Sequence, residues 1–178
     1  MHKSKTWHRI LAAATLALIF GGPDAAMAGP KQDALLQTYV GSWRGTGELK
    51  GGDEPEKFSC RVDVKDGGQG KINYAGRCAV VGMNLQVQGT IAYRDERNRY
   101  EGVMNSTTAF KGLAIGRPRG NTVVFDFRGQ EKHEGSELTI NSQMTLKKEQ
   151  IVIDFNVWIA ESDVKMSTSV PFDRVPTP

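Results

Sequence analysis

The sequence predicts an all-β protein: a single antiparallel up-and-down β-barrel of about ten strands with a short N-terminal helix. Three observations carry this. Apolar and polar residues alternate with period two over most of the chain, polar or Gly-rich turns separate the alternating runs, and one segment near the N-terminus has helical spacing instead. The 150 residues from Gly29 to Pro178 suffice for one domain with a real core and are too few for two comfortable ones.

Ahead of that domain stand the three parts of a secretory signal. Lys3, Lys5 and Arg9 form a basic stretch, Ile10–Phe20 an apolar run, Gly21-Gly22-Pro23 a turn, and Ala26-Met27-Ala28 a small-x-small cleavage site. The apolar run has eleven residues, short of the roughly 20 that a helix needs to cross a bilayer core of about 30 Å. Cleavage after Ala28 is therefore expected. Residues 1–28 are read as signal peptide and 29–178 as the barrel domain, with no membrane anchor after cleavage and a periplasmic or secreted product. No cysteine precedes Cys60, so the cleavage region offers no thiol for lipid attachment.

Removing the leader takes away Lys3, Lys5, Arg9 and Asp24 and lowers the net charge from +3 to +1. Nucleic acid is then not an expected partner, because phosphate binding needs an unbalanced cluster of Lys and Arg. His2 and His8 leave as well, and His133 is the one histidine of the mature chain.

The helical segment is Lys31–Val40, where Leu35, Leu36, Tyr39 and Val40 share a face after Pro30. Strands are expected at Trp43–Leu49, Glu56–Val64, Lys71–Val80, Met83–Arg94, Arg99–Thr108, Phe110–Ile115, Thr122–Arg128, Leu138–Leu146, Ile151–Ile159 and Val164–Phe172. The fourth shows the pattern best: Met83, Leu85, Val87, Gly89, Ile91 and Tyr93 point one way and the residues between them the other. Turns are expected at Asp95–Asn98, Arg117–Asn121 and Lys147–Gln150. Closure into a barrel would remove exposed sheet edges. Alternation alone does not distinguish it from a two-sheet sandwich.

Cys60 and Cys78 both fall on the less polar parity of their strands, so both thiols face the interior. Placing them opposite each other pairs Val62 with Gly76, Val64 with Tyr74 and Asp66 with Ile72, and leaves Gly67–Lys71 as the hairpin loop. In an oxidising compartment the pair is expected as a disulfide; the other reading is two reduced, buried cysteines. Neither fits a catalytic thiol, since both lie in strand cores with no histidine nearby in sequence.

Gly41-Ser42-Trp43, at the start of the first strand, resembles the opening of the calycins, which include lipocalins, fatty-acid-binding proteins and nitrobindin-like barrels. Extended to Gly41-Ser42-Trp43-Arg44-Gly45-Thr46-Gly47, it is most similar to the nitrobindin-like branch. The resemblance implies that Trp43 packs across the barrel floor. Cys60-Arg61 and Arg77-Cys78-Ala79 are also similar to a motif on adjacent strands of uncharacterised secreted bacterial proteins. A nitrobindin-like barrel implies haem on a histidine near the C-terminal strands, but Ala160–Val175 contains none, and His133 lies in Gly129–Gly135, which reads as an exposed turn. No cofactor is expected.

Other chemistry finds little support. One histidine and two paired cysteines do not make a zinc site. Glu131, Glu134 and Glu137 share a mixed-charge run that reads as a solvated loop. Ser106, Thr107 and Thr108 have no local base, no Gly-x-Ser-x-Gly elbow occurs, and Gly45 and Gly47 precede no helix. The sequence thus predicts no enzyme. What remains is the interior, with Trp43, Tyr74, Met83, Leu85, Tyr93, Met144, Phe155 and Met166 as the candidate lining for a small hydrophobic or lipid-like ligand, and Tyr74 and Tyr93 as its polar handles. Two alternatives stand beside this: a filled structural core, and a secreted interaction protein such as a protease or lysozyme inhibitor, using Arg117-Pro118-Arg119-Gly120 or Arg44–Glu48 as its surface.

Overall fold

The computed structural model describes residues 29–80, 83–106, 111–120, 122–133 and 136–176. Helix α1 (Gly29–Gln37) leads into β1 (Gly41–Leu49), β2 (Glu56–Gly68), β3 (Lys71–Val80), β4 (Met83–Arg94), β5 (Arg99–Ser106), β6 (Lys111–Arg119), β7 (Thr122–His133), β8 (Ser136–Leu146), β9 (Gln150–Ile159) and β10 (Val164–Arg174). Each strand pairs antiparallel with its neighbours in sequence, and β1 pairs with β10, so the sheet closes on itself. A sandwich is ruled out. The signal-peptide reading, like Thr107, Thr108 and Phe110, lies outside the described residues.

The strand pattern follows from side-chain parity. Inward positions are odd in β1, β4, β7 and β9 and even in the other strands, as burial along each strand shows. The β2–β3 register is the one that the cysteines imply: Cys60 faces Cys78, Val62 faces Gly76, Val64 faces Tyr74 and Asp66 faces Ile72. Cys60 and Cys78 form a disulfide with their Cα atoms 4.1 Å apart.

The helix ends at Gln37, so Tyr39 and Val40, expected on its face, lie just beyond it, and two strands differ further from expectation. The sixth strand runs on through Arg117, Pro118 and Arg119, leaving Gly120, at φ 60°, for the turn. Its inward residues are Gly112, Ala114 and Gly116, while Leu113 points out and is 50% exposed. The reason is steric: a Cβ at Gly112 would overlap the Phe127 ring, and one at Gly116 would come within 2.5 Å of Phe125. The rings of β7 fill the space that side chains of β6 would otherwise take.

The second difference is the segment from Gly129 to His133, read above as a turn. It continues β7, pairing Gly129 with Ile140 and, at its end, His133 with Ser136. Ladder hydrogen bonds use the backbone and are indifferent to the charge of this run. Glu134, Gly135 and the side chains of Glu131, Lys132 and His133 lie outside the described residues.

The core sits at the helix end of the barrel. Leu36, Tyr39, Trp43, Tyr100, Val123, Phe125 and Leu146 are its most completely buried large side chains. The Trp43 indole donates from Nε1 to the Tyr39 carbonyl at 2.9 Å. The Arg174 guanidinium lies 4.3 Å above the same ring and donates from Nη1 to the Val40 carbonyl at 2.7 Å and from Nη2 to the Thr38 carbonyl at 2.5 Å. Carbonyls at and beyond a helix C-terminus lack intrahelical donors, and a cation is favoured there. Arg174 and Trp43 are also direct cross-strand partners, so one contact joins β1, β10 and the exit of α1.

This floor should dominate stability. Trp43→Ala is expected to cost about 3–5 kcal/mol and Arg174→Met about 1–3 kcal/mol, read as shifts of the urea midpoint by far-UV circular dichroism. Arg174→Lys should rescue little, because an ammonium lacks the planar fork that spans two carbonyls. Reducing the disulfide, whose cysteines are 18 residues apart, should cost about 3 kcal/mol.

Candidate ligand site

Away from the floor the inward side chains change character. Phe58, Leu85, Val87, Met104, Leu138, Phe155, Val157 and Met166 all point inward, yet none is fully buried; around Trp43, Leu36, Tyr39, Tyr100, Phe125 and Leu146 are, although Leu35, Val62, Met144 and Ile153, packed against them, are partly buried too. Phe127 and Ile140 anchor a second cluster here, with Met104, Leu138, Phe155 and Val157 packed against it. The helix-distal half is therefore an apolar lining that keeps access to solvent. Of the inward hydroxyl residues here, Ser106 faces Val87, while Ser142 and Thr168 face each other's strands through Phe155, the β9 partner of both. Thr168 Oγ1 is buried with no hydrogen-bond partner, a costly state for a hydroxyl.

The residues expected to line the interior divide between the two halves. Trp43 lies in the floor, fully buried. Tyr93 is there too: its hydroxyl donates to Asn98 Oδ1 at 2.5 Å and its ring meets Tyr100 edge-on at 5.0 Å. Met144 is half-buried against the floor cluster. Tyr74 lies in the wall, where its ring covers Gly89 and its hydroxyl donates to the Val103 carbonyl at 3.4 Å. Leu85, Phe155 and Met166 belong to the open half, and Leu85 stands opposite Cys78, beside the disulfide. Met83 pairs with Val80 through its backbone; its side chain lies outside the described residues.

Two interior features were not anticipated. Arg174 follows Val170 and Phe172 on the inward parity of β10, and that parity was its only signal. Thr168 shares the parity, but nothing in the sequence marks a hydroxyl as unpartnered. Among the described residues no group of three or more His, Cys, Asp or Glu is placed to hold a metal ion.

Burial pushes the Tyr74 phenol up to about 12. Tyr100 also rises to about 12, through burial first and then the neighbouring Tyr93 and Tyr39. Burial raises Tyr39 as well. Folding thus favours the neutral phenols. Their contribution to stability is complete below the unfolded value near 10 and declines as pH rises toward about 12. Ultraviolet titration of the native protein should show these tyrosines resisting ionisation at pH values where a free phenol is already tyrosinate, and chemical stability should fall through the same window.

Comparison with known proteins bears on the architecture. No protein-family model matches the chain, and no curated protein does. Among solved structures, Rv2717c from M. tuberculosis superposes with a TM-score of 0.61 at 14% identity, over 80% of this chain and 98% of that one. The S-type phycobiliprotein lyase CPES from Guillardia theta superposes with a TM-score of 0.53 at 9% identity, over 85% of this chain and 96% of that one. At these identities the likeness is one of fold: the chain is a calycin-like barrel, as its Gly41-Ser42-Trp43 opening implied.

Proposed function

We propose that this chain is an exported, non-catalytic binding module that holds a small apolar or lipid-like ligand in the helix-distal half of its barrel. The observation that carries the reading is the incomplete burial of inward Leu85, Phe155 and Met166 inside a closed barrel. Fully burying a Leu, Phe or Met side chain is worth about 1.5–3 kcal/mol, and an apolar guest covering these three recovers part of that for each. The Thr168 hydroxyl, unpartnered and inward, would meet a polar end of the guest. Trp43 and Arg174 close the other end, so the guest enters and leaves opposite the helix.

Export is supported by the basic, apolar and small-residue segments of the first 28 residues and by a disulfide of the kind that persists in oxidising compartments. The likeness to Rv2717c and to a phycobiliprotein lyase supports the architecture and leaves the ligand to be read from the lining.

Titration of the purified protein with a fluorescent fatty-acid analogue tests this. Saturable one-to-one uptake with blue-shifted emission is expected. Met166→Lys should weaken it roughly tenfold or more with the far-UV spectrum intact, while Val103→Ser, on the outer wall, should leave it unchanged. Absence of saturable uptake, together with no co-purifying mass in native mass spectrometry, would show a filled core instead.

A further inference from the structure

Three arginines form one transverse row on the outside of the barrel. Arg44 on β1 faces Arg61 on β2, and Arg61 faces Arg77 on β3. With neighbouring strands about 4.8 Å apart, the row is about 10 Å long. All three line a recess of about 990 Å³ on the outer wall, which Gln86, Gln88 and Asn105 help to complete.

Nothing in the packing of the wall favours this row, since like charges directly opposite each other destabilise a sheet. Arg61 is partly neutralised: its Nε lies 3.2 Å from Asp63 Oδ2, and Ser42 donates to the other oxygen of that carboxylate at 2.5 Å. The Ser42 hydrogen bond, ahead of Arg61, holds Asp63 below the usual carboxylate range, so it stays ionised. Asp173, the β10 partner of Arg44, accepts instead from Gln150 at 3.0 Å. Among the described residues, Arg44 and Arg77 are exposed and make no ion pair.

We propose that this recess binds a small molecule carrying two or three oxyanion groups, phosphate or carboxylate, laid along Arg44, Arg61 and Arg77. Guanidinium forks match both groups bidentately, and the volume suits a small-molecule site. The side-chain amides of Gln88 and Asn105 meet the polar frame between the charges. Asp173 ends the row on one side, which disfavours a longer polyanion running across the wall. The site lies on the opposite face of the wall from the barrel interior and stands independently of the interior ligand.

Calorimetric titration of the purified full chain with tripolyphosphate and, separately, with citrate tests the proposal at about 0.15 M ionic strength, where free charges are screened beyond about 8 Å. Saturable one-to-one binding of at least one probe is expected; which of the two binds tells phosphate from carboxylate. R44Q and R77Q should each weaken it about tenfold to a hundredfold, and R117Q/R119Q, at the exposed end of β6, should leave it unchanged. Because R77Q also relieves repulsion, its melting temperature should hold or rise. Failure of both probes to bind, equal loss in R117Q/R119Q, or a lower melting temperature in R77Q with binding retained would each overturn the proposal.

Discussion

A barrel closes only if its last strand returns to its first, and here that return rests on Arg174 against Trp43. The β1–β10 seam is short: three paired positions, Trp43 with Arg174, Arg44 with Asp173 and Gly45 with Phe172, and one further bridge between Lys50 and Ser167. Over the same length β1 makes nine pairs with β2. Backbone pairing at the seam is thus sparse, and it joins the two ends of the domain, where loop closure costs the most entropy. The guanidinium compensates by making three contacts at once, to the indole and to two carbonyls at the exit of α1. Gly45 permits the close approach: a Cβ there would come within 2.7 Å of the Pro171 carbonyl.

Plugging one end has a consequence for the other. The most completely buried aromatic side chains lie at the floor: Tyr39, Trp43, Tyr93, Tyr100 and Phe125 form its centre. The helix-distal half holds Phe58, Phe127 and Phe155 beside Leu, Val and Met side chains and the hydroxyls of Ser106, Ser142 and Thr168, and most of these side chains are only partly buried. The contacts that hold the seam thus lie apart from the partly buried inward side chains of the helix-distal half, so substitutions in that half should not loosen the seam.

How much of this was legible depended on whether one strand or several carried the information. A single alternating strand discloses its faces, and Met83–Arg94 did so. The β2–β3 register was legible because two cysteines of the same parity and a Gly-rich loop allow one solution. The sixth strand was harder, because its inward residues are Gly112, Ala114 and Gly116 and its apolar Leu113 faces solvent, which inverts the usual signal. The strand through Gly129–His133 was hidden by its charge, to which backbone pairing is blind. Arg174 lies two residues past the expected end of the last strand at Phe172, and its role needs both the helix exit and Trp43 to be placed. The arginine row required two registers at once; each arginine alone is an ordinary outward residue.

The β2–β3 hairpin is held by more devices than a hairpin needs. Besides the disulfide, Gly68, Gln69 and Gly70 take positive φ values of 72°, 52° and 73°, and the Asp66 carboxylate accepts from the Gly68 amide at 2.9 Å. Turn and disulfide enforce the same register from opposite ends. A slip of one residue in either strand would turn its faces over, sending Cys60 or Cys78 outward and its neighbouring Arg61 or Arg77 into the apolar interior. Cross-strand repulsion between Arg61 and Arg77 works against the correct alignment. The covalent bond on the inner face and the strained turn at the hairpin end together offset that repulsion, so the inner wall fixes the charge pattern that the outer wall presents.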